Sequence, residues 1–129
     1  MSMDIFCFKR DQFEKALGQL QKALEAPKSE YTRDAVIQRF EFTYELAWKA
    51  LKVYLATQDL QVLSPKETLK VAYQQGLIAD ASVWSELHLK RNLTSHTYDE
   101  QLAEAIYDYL KVSGVFLFVA LEEKLREFS

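Results

Sequence analysis

Apolar residues recur along this chain at spacings of three and four, the signature of helices that each present one face to a core. Phe13, Leu17, Leu20 and Leu24 advance by 4, 3 and 4 residues, which predicts a first helix from about Asp4 to Ala26. Pro27 closes it, because the residue before a proline is driven out of the α region. A second helix is predicted from a Thr32 N-cap, with Asp34 in its first turn, to about Gln58. Its core stripe is Phe40, Tyr44, Trp48 (with Ala47), Leu51 and Leu55. Gln38, Glu41, Glu45, Lys49 and Lys52 occupy the other side, with Glu45 and Lys49 oriented for an i,i+4 ion pair.

Ser64-Pro65-Lys66-Glu67 is the clearest helix start. Serine at the N-cap, proline at N1 and glutamate at N3 form a capping box. This third helix is short, since Gly76 supplies a C′ stop after Gln75. A fourth begins near Asp80 and turns Val83, Trp84 and Leu87 inward. The fifth is predicted from about Asp99 to Glu127, roughly 40 Å long at 1.5 Å per residue. Leu102, Ile106, Leu110, Ser113, Leu117 and Leu121 form one stripe on it, and Val112, Val115, Phe116 and Val119 a second apolar surface alongside. A helix apolar nearly all round needs cover on more than one side. The reading is a homodimer with Val112–Val119 near its centre; the alternative is a wide core stripe inside a monomer.

Composition agrees with this pattern. Of 129 residues, 49 % are hydrophobic and 27 % charged, which excludes a disordered chain. With 3 glycines and 2 prolines, the chain lacks the turn residues of an all-β sandwich. The expected architecture is all-α: an antiparallel up-and-down bundle of four to five helices, dimeric, in a single domain spanning 1–129 with no internal linker or repeat. One cysteine, Cys7, gives no intramolecular disulfide and fits a reducing compartment. The N-terminus, Met1-Ser2-Met3-Asp4-Ile5-Phe6, lacks the basic and apolar regions of a signal peptide. The longest apolar stretch, Val112 to Leu121, is about half of what a membrane span requires. The expectation is a soluble, cytoplasmic protein without membrane association. A net charge of −3 excludes an overall basic nucleic-acid coat and leaves room for a local basic site.

Searches for chemistry are mostly empty. There is no glycine-rich phosphate loop and no nucleophile elbow. His88 and His96, eight residues apart, fall outside the one-turn spacing that clamps a metal on a helix, so no metal site and no cofactor are assigned. One polar segment stands apart: Lys90-Arg91-Asn92-Leu93-Thr94-Ser95-His96-Thr97-Tyr98-Asp99-Glu100. Arginine offers a planar fork of donors to phosphate, histidine changes charge near neutral pH, and tyrosine gives a stacking face and a hydroxyl. On an unbroken helix Arg91 and His96 would diverge by about 140°. They converge only if the helix ends or bends near Ser95, or if they meet across a dimer axis. A capped helix end, with His96 and Tyr98 satisfying local carbonyls, accounts for the same residues.

Arg91-x4-His96-x-Tyr98 resembles the Arg-x4-His motif of HEPN domains, and the form extended to Tyr98 resembles the HepT-type toxins. Arg39-Phe40-Glu41-Phe42-Thr43-Tyr44-Glu45-Leu46-Ala47-Trp48-Lys49 is similar to the second-helix block of a related group. These are the nucleotidyltransferase substrate-binding proteins, small helical partners of minimal nucleotidyltransferases. With the Ser64-Pro65 start and the Trp84 region, the resemblance spans about residues 35–100. It implies a dimeric helical bundle paired with a separate nucleotidyltransferase subunit. In the HepT-type case it implies a metal-independent ribonuclease toxin, silenced by transfer of AMP to Tyr98. Arg91 and His96 carry over as the catalytic pair, and Asn92 and Tyr98 as nucleotide- or RNA-binding positions.

These residue types suit transesterification, in which the RNA 2′-hydroxyl attacks the adjacent phosphorus. His96 would move the proton and Arg91 would stabilise charge on the phosphoryl oxygens. The step needs both a base and an acid, and two opposed motifs in a dimer would supply them. His88 is the other candidate for the second proton carrier, but between Leu87 and Leu89 it reads as structural. The alternatives are a non-enzymatic nucleotide- or substrate-binding subunit of a two-component nucleotidyltransferase, and a plain oligomeric scaffold.

Overall fold

A computed structural model describes residues 3–128 of the chain. Met1 and Ser2, the first positions of the segment read for a leader, and Ser129 lie outside the described residues. Among the described residues the elements are α1 (Met3–Glu25), α2 (Glu30–Thr57), α3 (Pro65–Gln74), α4 (Ala81–Leu93), α5 (Glu100–Tyr109) and α6 (Val115–Arg126), and none is a strand. A 3-10 turn, Thr94–His96, follows α4, and a π-helical turn, Leu110–Gly114, joins α5 and α6 into one rod.

Pairwise contacts fix the directions. Phe6 near the start of α1 meets Tyr54 near the end of α2, and Arg39 donates to the Gln19 carbonyl at 2.8 Å, so α1 and α2 are antiparallel. Arg10 donates to the carbonyl of Phe128 and Arg126 to Glu14, which sets α6 antiparallel to α1. Trp84 packs on Phe118 while Lys90 sits over the Tyr109 ring, so α4 runs against the last rod. The core is a single cluster in which Phe13, Phe40, Tyr44, Trp84 and Phe118 meet Leu17, Leu20, Leu51, Leu55 and Leu87.

Local chemistry decided several boundaries. Ser64 caps α3, its hydroxyl accepting from Glu67 N–H at 3.1 Å, with Pro65 in the first turn. The Glu67 carboxylate closes the return bond one residue further out than expected, on the N–H of Leu63. Gly76 follows the α3 cap Gln75 at φ +76°, a conformation glycine adopts without strain. Glu45 and Lys49 do pair, at 4.0 Å.

Three expectations are corrected. The α2 N-cap is Ser29, not Thr32; Ser29 Oγ accepts from Thr32 N–H at 3.1 Å, and Thr32 Oγ1 accepts from Ser29 N–H at 2.7 Å. Threonine thus plays the part of the N3 partner, and the helix begins one turn earlier. Trp48 lies at the edge of the core rather than in the stripe: it is half-buried, its indole donates to Glu45, and Lys52 covers its ring. The last rod is not one uniform α-helix. The π turn inserts one extra residue, so the buried line passes from Leu110 to Val115 and Phe118, and Ser113 turns out to solvent. The same shift buries Val115, which the sequence placed on the outer surface. Val112 and Phe116 remain outside, 73 % and 61 % exposed.

One further device has no counterpart in the sequence pattern. Arg33, buried at the start of α2, donates to Glu100 at 2.6 Å, Glu104 at 3.2 Å and Asp34 at 3.0 Å. Lys28 also reaches Glu104. This clamp ties the head of α2 to the head of α5, immediately after Tyr98 and Asp99. Among the described residues no helix is long and apolar enough to cross a membrane.

Candidate functional site

Helix α4 starts at Asp80, whose carboxylate accepts from Ser82 N–H at 2.8 Å. Trp84 and Leu87 bind it to the core. With those positions inward, helical periodicity carries Arg91 beside α2 and brings His88 and Asn92 to the α3 side. The helix then ends inside the polar segment. Thr94 Oγ1 donates to the Arg91 carbonyl at 2.7 Å, Thr97 Oγ1 to the Thr94 carbonyl at 3.0 Å, and Asp99 N–H to the His96 carbonyl at 3.1 Å. Asp99 caps α5 through Gln101 N–H and Leu102 N–H. The α-helix thus ends at Leu93, two residues before Ser95, and a 3-10 turn carries the chain through His96.

Arg91 is held on one side. Its Nη2 lies 3.5 Å from Glu45 Oε1 and its Nη1 donates to Thr94 Oγ1 at 3.3 Å. Its Nε is buried without a hydrogen-bond partner, so the guanidinium retains donor capacity. Glu45 is shared with Trp48 and Lys49. His96 is exposed and meets Tyr98, whose ring stands edge-on at 6.1 Å between centroids. Tyr98 itself is 83 % exposed. Among the described residues no hydrogen bond joins Arg91 to His96. The four candidate residues thus do not form one cluster: Arg91 faces Glu45 of α2, Asn92 faces the α3 side beside His88, and His96, at the end of the 3-10 turn, meets Tyr98.

Behind Asn92 lies a relay the sequence did not reveal. Asn92 Nδ2 approaches His88 Nε2 at 3.4 Å, and His88 Nδ1 lies 2.6 Å from the buried Tyr44 hydroxyl. Burial pushes the Tyr44 phenol above its ordinary range, with Glu45 adding to the effect and Arg91 opposing it. His88 is pushed below 6.5, first by burial and then by the positive charges of Lys66 and Arg91. A neutral imidazole bonded to a protonated phenol is the consistent state. The only advance signal was a tyrosine on a core stripe, whose hydroxyl needs a partner when buried. Asn92 and His88 also line a groove of about 1060 Å³ between α3 and α4. Among the described residues no three His, Cys, Asp or Glu side chains gather as a metal site.

The sequence matches the family described as "Nucleotidyltransferase substrate binding protein like" over residues 9–127. It is 38 % identical over 96 residues to a Haemophilus influenzae protein named "Probable ribonuclease HepT", a match covering 68 % of this chain and 66 % of that relative. Among solved structures, a Thermus thermophilus protein is similar at TM-score 0.82 and 39 % identity, covering 88 % of this chain and 98 % of that one. A Haemophilus influenzae protein, described as having the fold of a substrate binding domain of a nucleotidyltransferase, is similar at TM-score 0.69 and 28 % identity. That likeness covers 97 % of this chain and 99 % of the other.

Proposed function

This chain belongs to the nucleotidyltransferase substrate-binding protein family, and we propose that it is the helical partner of a separate nucleotidyltransferase subunit, acting as a ribonuclease toxin of HepT type. The observation that carries this reading is the pairing of His96 with Tyr98 at the solvent-open end of α4, one turn beyond a tethered arginine. An exposed tyrosine is open to a modifying enzyme, and a nucleotide attached there lands against the imidazole that would handle the proton.

In the cleavage step the RNA 2′-oxygen attacks the neighbouring phosphorus and gives up its proton to a histidine acting as base. The bond from phosphorus to the 5′-oxygen breaks, and that oxygen takes a proton from an acid. The products are a 2′,3′-cyclic phosphate and a 5′-hydroxyl. His96 serves as base or acid, typically contributing about 10²–10⁴-fold, and Arg91 stabilises charge on the non-bridging oxygens. A homodimer presents a second His96 for the complementary role; the exposed Val112 and Phe116 are the apolar surface offered for that contact. In silencing, the Tyr98 oxygen attacks the α-phosphorus of ATP, pyrophosphate leaves, and the AMP added supplies an anion that competes with RNA phosphate for Arg91.

A second reading is favoured by one observation: Glu45 already lies 3.5 Å from the Arg91 guanidinium, reducing the positive charge available to a transition state. Arg91 and Tyr98 would then hold a nucleotide without cutting a bond. Incubating purified protein with RNA in chelator, beside Arg91→Ala and His96→Ala, separates the two. Cleavage lost in both variants supports the ribonuclease. Intact RNA together with nucleotide binding that Arg91→Ala weakens supports the binding subunit.

A further inference from the structure

The groove between α3 and α4 is not part of the Arg91–His96–Tyr98 constellation, yet it runs up to Asn92. At about 1060 Å³ it reaches the upper limit of small-molecule sites, about 300–1,000 Å³, so it suits a ligand longer than a single nucleotide. Lys66, Lys70 and Tyr73 line it from α3, and His88, Leu89 and Asn92 from α4. Lys66 and Lys70 stand one helical turn apart, with about 5–6 Å between such Cβ atoms, a separation suited to successive phosphates of an extended strand. Tyr73 and Leu89 are large apolar side chains left 49 % and 56 % exposed, and so can receive base faces.

The charge of the groove is opposite to that of the whole chain. Its acidic lining residue, Glu67, has its carboxylate turned back onto the N–H of Leu63. Lys66 lines the groove together with His88 and Asn92, and its charge is among the causes that hold the His88 pKa down. A chain of net charge −3 thus carries two lysines, Lys66 and Lys70, along a groove that ends at Asn92 of its polar segment.

We propose that the α3–α4 groove binds a short stretch of single-stranded RNA, with phosphates on Lys66 and Lys70 and bases against Tyr73 and Leu89, and feeds it past Asn92 to the motif. The assignment deepens the ribonuclease reading and rests on it for the fate of the strand. A labelled short RNA carrying 2′-O-methyl groups throughout cannot be cut by 2′-oxygen attack, so fluorescence anisotropy reads binding alone. Wild type is expected to bind it with a salt dependence that falls by about 0.7 in log–log slope for each lysine removed in Lys66→Ala and Lys70→Ala. Tyr73→Ala is expected to weaken binding roughly tenfold or more, and Tyr73→Phe to restore it. Circular dichroism establishes that each variant keeps its helices. The proposal is overturned if the strand does not bind, if the variants bind like wild type, or if AMP alone competes as well as the strand. It is also overturned if Tyr73→Ala alters only self-association, which would make a second copy the occupant. If unmodified RNA is cut normally while the groove variants bind as wild type does, the groove falls and the ribonuclease stands. If the strand binds through the groove and unmodified RNA stays intact, the groove stands and the ribonuclease falls.

Discussion

The Tyr98 ring stands edge-on to the His96 imidazole, 6.1 Å between centroids with planes 78° apart, at the point where α4 gives way to the turn leading into α5. Tyr98 packs little there, at 83 % exposure, so its substitution is expected to leave the fold intact. Tyr98→Phe is expected to cleave RNA within about twofold of wild type, since the phenol hydroxyl moves no proton in the cleavage step. The same variant is expected to take up no AMP from the partner nucleotidyltransferase and ATP, read by intact-protein mass spectrometry. AMP addition to Tyr98→Phe equal to that on wild type would refute Tyr98 as the acceptor.

The clamp around Arg33 makes a separate prediction about acid. The Glu104 carboxyl is held below its ordinary 4.5 first by its hydrogen bond to Lys28, then by Arg33. Because its folded value lies below its unfolded value, the unfolded chain binds the proton more readily. The clamp therefore stabilises fully above the ordinary carboxylate range and is lost as pH falls through the depressed folded value. Glu104→Gln should flatten that acid limb of a stability–pH curve measured by urea unfolding. Arg33→Met, which keeps the apolar stem but not the charge, should lower Tm by a few degrees at neutral pH and leave Glu100 and Glu104 without their shared cation.

Gly114 tests the π turn. A Cβ placed there would lie 2.9 Å from Leu110 Cδ2 and Tyr109 Cε2, and 3.4 Å from Leu87 Cδ1. Contacts this close force the buried Leu110 and the half-buried Tyr109 to shift. The up to about 1 kcal/mol of helix propensity that alanine gains over glycine offsets only part of that crowding, so Gly114→Ala should be mildly destabilising. Gly114→Val brings two further methyl groups and should cost about 1–3 kcal/mol, measured by chemical denaturation.

Where signals are local, the sequence is readable; where they depend on distant partners, it is not. The Ser64-Pro65 start and the Gly76 stop could be placed because each works through atoms a few residues away. The stripe of α1 was legible for the same reason: Phe13, Leu17, Leu20 and Leu24 are all buried. The π turn was not legible, since a one-residue shift in the buried line within a stretch apolar nearly all round leaves no break in the hydrophobic pattern. Arg33 could not be paired in advance with carboxylates 67 and 71 residues away. At the candidate site, the break in helix after Leu93 was recognised only as a condition for Arg91 and His96 to converge. The Glu45 tether on Arg91 and the Tyr44–His88 bond lie across helices, so no spacing rule exposes them.

The proposed dimer rests on the outer surface of the last rod. Phe116→Asp puts a charge on a side chain that is 61 % exposed, so the protomer should fold as before while the dimer dissociates. Sedimentation equilibrium is expected to give a monomer mass, with RNA cleavage falling in step as the second His96 is lost. A Phe116→Asp protein that stays dimeric would move the contact elsewhere.

The central claim is that Arg91 and His96 act together on an RNA phosphodiester. Its most direct test is to incubate wild type and His96→Ala with a defined RNA in chelator and to analyse the fragment ends by mass spectrometry. Wild type is expected to leave 2′,3′-cyclic phosphate and 5′-hydroxyl ends, with cleavage by His96→Ala at least about a hundredfold slower. RNA left intact by unmodified wild type, or cut equally fast by His96→Ala, would contradict the account.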